Sequence, residues 1–192
     1  MGLLILGLVI FLGAHSVGMA APAWRERMIE RLGEIPWKGV YSVVSLVGLV
    51  LIVWGYGMAR VEPVGIWAPP TWLRHVALLL MLPVFPLLLA AYLPGRIQTA
   101  AKHPMLAAVK LWAFAHLLAN GNLADLMLFG SFLAWAVADR ISLKTRTPPS
   151  VPGAPPGRAN DLIALVGGLA LYGAFIGGLH AWLIGVSPLG AH

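Results

Sequence analysis

The feature that most constrains this chain is a series of apolar runs, each long enough or nearly long enough to cross a lipid bilayer. A helical span needs about 20 predominantly apolar residues, because the hydrocarbon core is about 30 Å thick. Only 10% of the 192 residues are charged and 59% are hydrophobic, whereas a soluble domain carries about 25% charged residues. The sequence therefore predicts an all-α fold, a polytopic membrane helical bundle.

Six segments meet or approach the length of a span, which predicts about six transmembrane helices. Pro83 and Pro86 predict a kink in the third span, because proline removes a helical hydrogen bond. The turn signal Asn120-Gly121-Asn122 predicts that the fourth and fifth spans form an antiparallel hairpin. The predicted spans are Gly2–Ala21, Gly39–Met58, Trp72–Leu93, Pro104–Asn120, Leu123–Ile141 and Asp161–Val186.

The distribution of basic residues predicts the orientation in the membrane. With the N-terminus outside, ten Lys and Arg residues fall in inner loops and two in outer loops, which agrees with the positive-inside rule. Both termini are therefore expected on the outer side of the cell inner membrane. The net charge of +6 is explained in the same way, and no nucleic-acid partner is expected. The inner residues are Arg25, Arg27, Arg31, Lys38, Arg96, Lys102, Arg140, Lys144, Arg146 and Arg158, and the outer ones are Arg60 and Arg74.

The chain is expected to form a single transmembrane domain over residues 1–192. The first apolar run is interpreted as a retained span, because no basic residue precedes it as in a signal peptide. Residues 144–160 are Pro-rich and predict an extended, mobile cytoplasmic linker. Asn160 or Asp161 is expected to cap the last span. In that span, Gly173 and Gly177 predict a close helix contact, within the monomer or in a dimer.

Four ionisable side chains lie away from the ends of the predicted spans, where such groups are costly and usually mark function, while others such as His75 lie near span ends. The four are His15, Lys110, His116 and His180. A neutral histidine in this setting either bonds to a neighbouring helix or ligates a metal or haem. His180 follows a glycine-rich stretch, where another backbone or a flat ring could approach closely.

The fourth span carries two further polar side chains whose spacing is informative. Asn120 lies one turn after His116 on the same face, so the two form either a polar clamp between helices or an oriented ligand. Lys110 lies about 10 Å from either end of its helix at 1.5 Å per residue. It is expected to meet an anion inside the bundle, either a ligand carboxylate or Asp125.

Signatures of common enzyme classes are absent from the sequence. The chain has no cysteine, which excludes thiolate ligands and nucleophilic thiols. It also has no G-x-S-x-G, P-loop, H-E-x-x-H or G-x-G-x-x-G motif. The seven acidic residues fall mostly in loops, which argues against a carboxylate acid/base pair and against a coupled ion pump.

Three stretches resemble the NnrU family of membrane proteins. They are "HSVGMAAPAWRERMIERLGEIPWKGVYSVVSLVGLVLIVWGY", "KHPMLAAVKLWAFAHLLANGN" and "LMLFGSFLAWAVADRIS". The resemblance covers essentially the whole chain, and it implies a link to nitrite and nitric oxide reduction in denitrifying bacteria. The family is also similar to zeta-carotene isomerase, a haem b membrane enzyme that isomerises a cis double bond.

In that isomerase, the haem-ligating histidines lie in an early "HS" motif and in an "HP…W…AH…N" span. The resemblance therefore implies that His15 and His116 ligate haem b as the metal ligands. Lys110, Asn120 and His180 are further candidates for cofactor binding, with Lys110 beside a haem propionate. The resemblance thus implies either a role in denitrification or an isomerase-like, redox-gated reaction. This chain departs from the isomerase at Ala113, which occupies the position of a cysteine proposed for ligand switching in carotenoid isomerisation.

Depth in the membrane points to a different set of histidines. Counted along the helices, His15 lies about 19 Å from the outer face and His116 about 6 Å. Two axial nitrogens on one iron must lie roughly 4 Å apart, by analogy with other metal–histidine distances. By depth alone, His75, His116 and His180 form the better-matched set.

Two other functions remain open at the level of the sequence. The first is an S-adenosylmethionine-dependent membrane methyltransferase, because "KHPML" is similar to a cofactor-binding "R-H-P" motif. Arg96, Lys102 and His103 would then lie near the cofactor carboxylate. The second is a non-catalytic assembly factor for a reductase, whose polar residues only clamp helices together. The expected partners are the lipid bilayer and either a hydrophobic small-molecule substrate or a redox partner protein.

Overall fold

The structure is a computed structural model that describes residues 1–146 and 153–190. In this described part, every regular element is helical, and one isolated β-bridge joins Gly65 and Asn122. The predicted all-α membrane fold is confirmed. Residues 147–152, which belong to the predicted Pro-rich linker, lie outside the described residues, as do residues 191–192.

The helices follow one another along the chain. They are α1 (Gly2–Ala20), α2 (Pro22–Leu32), α3 (Glu34–Ala59), α4 (Thr71–Met81), α5 (Val84–Ala90), α6 (Arg96–Ala101), α7 (Pro104–Ala119), α8 (Leu123–Ser142), α9 (Asn160–Ala174), a π-helical turn (Phe175–Leu179) and α10 (His180–Ile184). They divide into two compact units. Unit 1 comprises Met1–Trp67 and Asn122–Ser142, and unit 2 comprises Ala68–Gly121 and Leu143–His192. The single domain expected over 1–192 stays a prediction.

Four helical segments of the described chain are long and apolar enough to cross a membrane, judged by length and composition. They are Gly2–Ala20, Glu34–Ala59, Thr71–Ala90 and Asn160–Ile184. Helix α7 is apolar but shorter, at 16 residues. Helix α8 has 20 residues but carries Asp125, Asp139 and Arg140. The count of six spans and the outer position of both termini stay predictions.

Glycines bring α1 and α3 close together in unit 1. A Cβ built on Gly7 would lie 2.6 Å from Ile52 N, and one on Gly48 would lie 2.7 Å from Phe11 N. A Cβ on Gly55 would overlap the backbone of Leu4. Small residues allow two helix backbones to approach this closely, and the resulting dispersion attraction replaces a hydrophobic driving force that lipid does not supply.

Helix α8 is attached to α3 through a buried carboxylate. Asp125 is 3% exposed, and its Oδ1 accepts a hydrogen bond of 2.5 Å from Tyr56 Oη. Its Oδ2 accepts a bond of 3.3 Å from Asn122 N. A buried carboxylate without such donors would be strongly destabilising, so these two bonds make the position tolerable.

The basic stretch after the first span forms a helix of its own. Pro22 occupies the first turn of α2, where its missing N–H is not needed. Gly33 ends the helix with φ 87°, a conformation that favours glycine. The indole rings of Trp24 and Trp37 then meet with centroids 5.6 Å apart. From the sequence, only the charges of this stretch were interpreted, and the helix was not predicted.

Unit 2 contains the predicted proline break. Helix α4 ends at Met81 and α5 begins at Val84, because Pro83 has no N–H to continue the hydrogen-bond ladder. The kink predicted for the third span is confirmed. Helix α5 packs on α9 at a glycine, since a Cβ built on Gly168 would overlap the backbone nitrogen of Pro86.

The described end of the predicted linker is hydrogen bonded to the segment that follows α5. Ala154 N donates a hydrogen bond of 2.8 Å to Tyr92 O, and Asn160 Nδ2 donates one of 2.8 Å to Pro94 O. Asp161 accepts hydrogen bonds from the first two amides of α6, Arg96 N at 2.9 Å and Ile97 N at 3.0 Å. These bonds hold the start of α9 against the segment after α5.

The prediction that Asn160 or Asp161 caps the last span is wrong. The residue before α9 is Ala159, and no side-chain hydrogen bond caps the helix. Asp161 instead satisfies the exposed amides of α6, a helix 65 residues earlier in the chain. A capping side chain bonds to whichever unpaired amides lie nearest in space, and the sequence pattern alone does not reveal those.

Lys102 adopts a strained backbone conformation, which gives a first testable prediction. Its φ is 59° and its ψ −45°, and His103 N donates a hydrogen bond of 2.6 Å to Ala101 O. This is a γ-turn of the rare, strained type. Because glycine adopts positive φ without steric cost, Lys102→Gly should raise the unfolding free energy by about 0.5–1 kcal/mol.

The measurement is the midpoint of unfolding of the purified protein in mixed detergent micelles. Lys102→Ala is the matched control, because it removes the same charge but keeps the Cβ. It should not be stabilised. Equal stabilisation by both variants would show that the charge, and not the backbone conformation, is the cause.

Candidate functional site

Three histidines share the same local arrangement. Each lies on a helix, and its Nδ1 is hydrogen bonded to a main-chain carbonyl oxygen. Since a carbonyl only accepts, Nδ1 carries the hydrogen, and in the neutral ring the lone pair then belongs to Nε2. Metal-ligating histidines characteristically have their second ring nitrogen anchored in this way. The bonds are His15 to Phe11 O at 2.7 Å, His116 to Trp112 O at 2.8 Å and His180 to Val186 O at 2.6 Å.

Unit 2 brings two of these histidines together. The ring centroids of His116 and His180 lie 6.4 Å apart, with 25° between the ring planes. His116 is in the last turn of α7 and His180 is the first residue of α10. The ring of Trp112 lies 5.4 Å from that of His116 and flanks the pair. Both histidines were candidates from the sequence, and their predicted depth placed them in the same set.

The helix that carries His180 is irregular. Helix α9 passes into a π-helical turn at Phe175, and Gly178 within this turn has φ 143° and ψ −20°. Only glycine adopts such a conformation readily, so the chain kinks at this residue between two helical segments. The sequence predicted a continuous span over Asp161–Val186. Hydrophobicity does not reveal this interruption, because the residues on both sides of it are equally apolar.

The predicted contact at Gly173 and Gly177 is not made within the described part of unit 2. Apart from the adjacent residues and backbone of the same helix, no described atom of this unit lies within 4 Å of a Cβ built on either glycine. The close approach occurs instead at Gly168, against Pro86. The interpretation of Gly173 and Gly177 as a contact inside the monomer is therefore corrected for unit 2, and the dimer alternative stays a prediction.

His15 lies in an aromatic cluster of unit 1. Its ring stacks on Phe11 with centroids 4.2 Å apart. Tyr41 from α3 lies at 5.3 Å and Trp135 from α8 approaches edge-on at 6.0 Å. Helices α1, α3 and α8 thus each contribute a ring to the surroundings of His15. His15 and His116 belong to different units, so the ligand pair implied by the resemblance stays a prediction.

Asn120 and Lys110, the two other polar candidates of the fourth predicted span, lie in different surroundings. Asn120 Nδ2 donates a hydrogen bond of 2.8 Å to the main-chain oxygen of His116, so it bonds to the end of α7. Lys110 is half-buried in the middle of α7. Its expected partner, an anionic group, stays a prediction.

The remaining polar candidates lie away from the histidine pair along the chain. His75 is on α4, Arg96 begins α6 and His103 is the residue before α7. Among the described residues, no group of three or more His, Cys, Asp or Glu side chains could hold a metal ion. A haem iron needs at most two protein ligands, whereas a bare metal ion needs three or more. The absence of a larger group among the described residues therefore does not bear on haem binding.

An apolar cavity of about 400 Å³ opens in unit 2 beside the proline break. Its lining includes Pro83, Pro86, Leu87, Ile97 and Leu165. No lining residue is charged, so the cavity offers only dispersion contacts to a molecule inside it. It therefore suits an apolar chain and has no group that would carry out chemistry.

The comparison with protein families gives a match over nearly the whole chain. A family model described as NnrU protein matches residues 3–188. The comparison with curated proteins found no match, and neither did the comparison with solved structures. The matched region contains the aromatic cluster around His15 as well as the pair His116 and His180.

Proposed function

Because the chain belongs to the NnrU family of membrane proteins, we propose that it binds haem b through two histidines and acts as a redox centre in nitrite and nitric oxide reduction. The observation that carries the proposal is the shared state of His15, His116 and His180. All three imidazoles have Nδ1 anchored on a main-chain carbonyl. This is the tautomer in which Nε2 can ligate iron.

The residues of the chain fit a haem better than they fit other metal groups. The sequence has no cysteine, so thiolate-bound clusters have no ligands here. Neutral imidazoles add no charge to an apolar environment, whereas ionised carboxylates would be costly there. The flat, largely apolar macrocycle also suits the aromatic rings near the candidate ligands, which are Phe11 and Tyr41 for His15 and Trp112 for His116.

Lys110 suits the carboxylate end of such a cofactor. A half-buried ammonium group within an apolar helix is costly unless an anion neutralises it. Helix α7 carries both Lys110 and His116, six residues or about 9 Å apart along the helix axis. We expect Lys110 to pair with a propionate of the haem whose iron is held by His116.

The proposed chemistry is electron transfer. A haem iron held by two imidazoles accepts and donates single electrons. The anchoring bonds at Nδ1 fix the rotation of each ring and raise the basicity of Nε2. Ala113, which is fully buried, supplies no ligand, so a change of ligand at that position is not part of the proposal. The proposed location is the cell inner membrane, with a redox protein or a hydrophobic small molecule as the electron partner.

The test is a spectrum of the full-length protein, produced in haem-replete cells and purified in detergent. We expect a Soret band and the pyridine haemochrome of haem b. His116→Ala should lose most of the bound haem. His75→Ala is the control, since its imidazole is also on a helix of unit 2 but lies outside the three anchored histidines, and it should retain the haem.

Two results would contradict the proposed function. One is a colourless wild-type protein from haem-replete cells. The other is heat released on titration with S-adenosylmethionine together with no haem, which would favour a methyltransferase.

A further inference from the structure

We infer that His180 is the second axial ligand opposite His116, and that the π-helical turn Phe175–Leu179 holds it in that position. The inference rests on the proposed haem binding and names the ligand pair. It differs from the resemblance, which implies His15 in this role. Three independent observations in unit 2 support it, and each concerns residues close to His180.

The first observation is the separation of the two rings. Two imidazoles on opposite sides of one iron have ring centres about 6 Å apart, because each metal–nitrogen distance is about 2 Å and each nitrogen lies about 1 Å from its ring centre. The centroids of His116 and His180 are 6.4 Å apart. The pair therefore already has the spacing of two axial ligands, and both rings belong to one compact unit.

The second observation is the direction in which His180 faces. Residues seven apart share a face of a regular α-helix, since 3.6 residues make one turn. His180 would then share the face of Gly173, and nothing in the described part of unit 2 lies within 4 Å of a Cβ at that glycine. Within the turn, Gly178 leaves helical geometry, with φ 143° and ψ −20°, so the chain kinks there and the face of the preceding helix does not continue to His180. This kink accounts for the approach of His180 to His116.

The third observation is that the turn is fixed at both ends. Phe175, at its start, packs on Phe85 of α5 with ring centroids 4.9 Å apart. After His180, Gly185 adopts φ 78° and ends α10. The chain then returns, and Val186 O accepts the hydrogen bond of 2.6 Å from His180 Nδ1. The imidazole is thus held from both directions along the chain.

Space beside the ligand is consistent with a flat ring. A Cβ built on Gly177 or on Gly178 meets no described atom of unit 2 within 4 Å. Gly178 is required by its φ of 143°, whereas Gly177 has no unusual φ. The two adjacent glycines therefore differ in backbone conformation but not in the room around them, which makes them a matched pair for an experiment.

The first part of the experiment compares three histidine variants by the spin state of ferric haem, read from absorption and electron paramagnetic resonance spectra. Wild type and His15→Ala should be low-spin, with two imidazole ligands. His180→Ala should become high-spin and bind carbon monoxide when reduced. Added free imidazole should restore its low-spin spectrum, and a thermal unfolding midpoint like that of the wild type should show that the variant is folded.

The second part compares the two glycines. Gly178→Ala should lose the low-spin signal, because a Cβ at φ 143° forces the turn to rearrange and moves His180. Gly177→Ala should keep that signal. Thermal unfolding of both variants shows whether each is folded, and rescue of Gly178→Ala by free imidazole would show that only the ligand was displaced.

The outcomes separate the two proposals. A low-spin His180→Ala together with a high-spin His15→Ala would overturn this inference and leave haem binding intact. Equal spectra for Gly178→Ala and Gly177→Ala would overturn the role of the turn. A wild-type protein without haem would overturn the proposed function and this inference with it.

Discussion

Replacing Gly55 with alanine should lower the unfolding free energy by about 3 kcal/mol, which is the upper range for overpacking a well-packed contact. The added Cβ would overlap backbone atoms of Leu3 and Leu4 in α1. Backbone cannot rotate away as the end of a flexible side chain can, so α1 must move off α3. The loss should appear as a lower midpoint of unfolding in mixed detergent micelles.

Gly57→Ala is the matched control in the same helix. Nothing in the described chain lies within 4 Å of a Cβ built on Gly57, so this variant should show only the increase in helix propensity, up to about 1 kcal/mol. A difference of less than about 1 kcal/mol between the two variants would show that α1 and α3 do not depend on this close approach.

The second large effect is expected at Gly168, where α9 meets α5. A Cβ there would overlap the nitrogen, Cα and Cδ of Pro86, which are rigid because the proline ring fixes them. Gly168→Ala should therefore also cost about 3 kcal/mol. Since α9 leads directly into the π-helical turn, the variant should in addition weaken the proposed ligation by His180.

Two other glycines of α9 provide controls for which a smaller loss of stability is expected. Gly167 would place its Cβ 3.2 Å from Leu89 Cδ1, and that flexible end can move, so Gly167→Ala should cost far less. Gly173→Ala meets nothing in the described part of unit 2 and should be neutral or slightly stabilising. The order Gly168, Gly167, Gly173 in decreasing cost, measured by the same unfolding midpoint, is the expected result. Any other order would contradict the close packing of α5 on α9 at Gly168.

Much of the secondary structure could be predicted because lipid imposes simple rules. The first span was expected at Gly2–Ala21 and α1 covers Gly2–Ala20. The fourth was expected at Pro104–Asn120 and α7 covers Pro104–Ala119. The break at Pro83 also followed directly, because a missing N–H has the same consequence in every helix.

The capping of helix ends could not be predicted in the same way. Asp161 has the composition of a cap for α9, yet it binds the amides of Arg96 and Ile97. The stretch from Pro22 to Leu32 was likewise not predicted to be a helix. Five of its eleven residues are charged, so its hydrophobic signal is weak beside those of the long spans.

For the candidate site, the sequence supplied the residue types but not the pairing. His15, His116 and His180 were recognised because ionisable groups are expensive in lipid. Which glycines matter was predicted incorrectly for unit 2. Gly173 and Gly177 have the small-xxx-small spacing, but the close approach in unit 2 is made by Gly168.

The sequence by itself determined that this is an all-helical membrane protein of one family, and it identified the histidines that could hold a cofactor. These conclusions depend on local quantities, namely hydrophobicity, length and the cost of a buried charge. Only the tertiary structure decided that His180 faces His116 and which glycines bring helices together. Those outcomes depend on packing between segments far apart in the chain, which no local pattern of residues encodes.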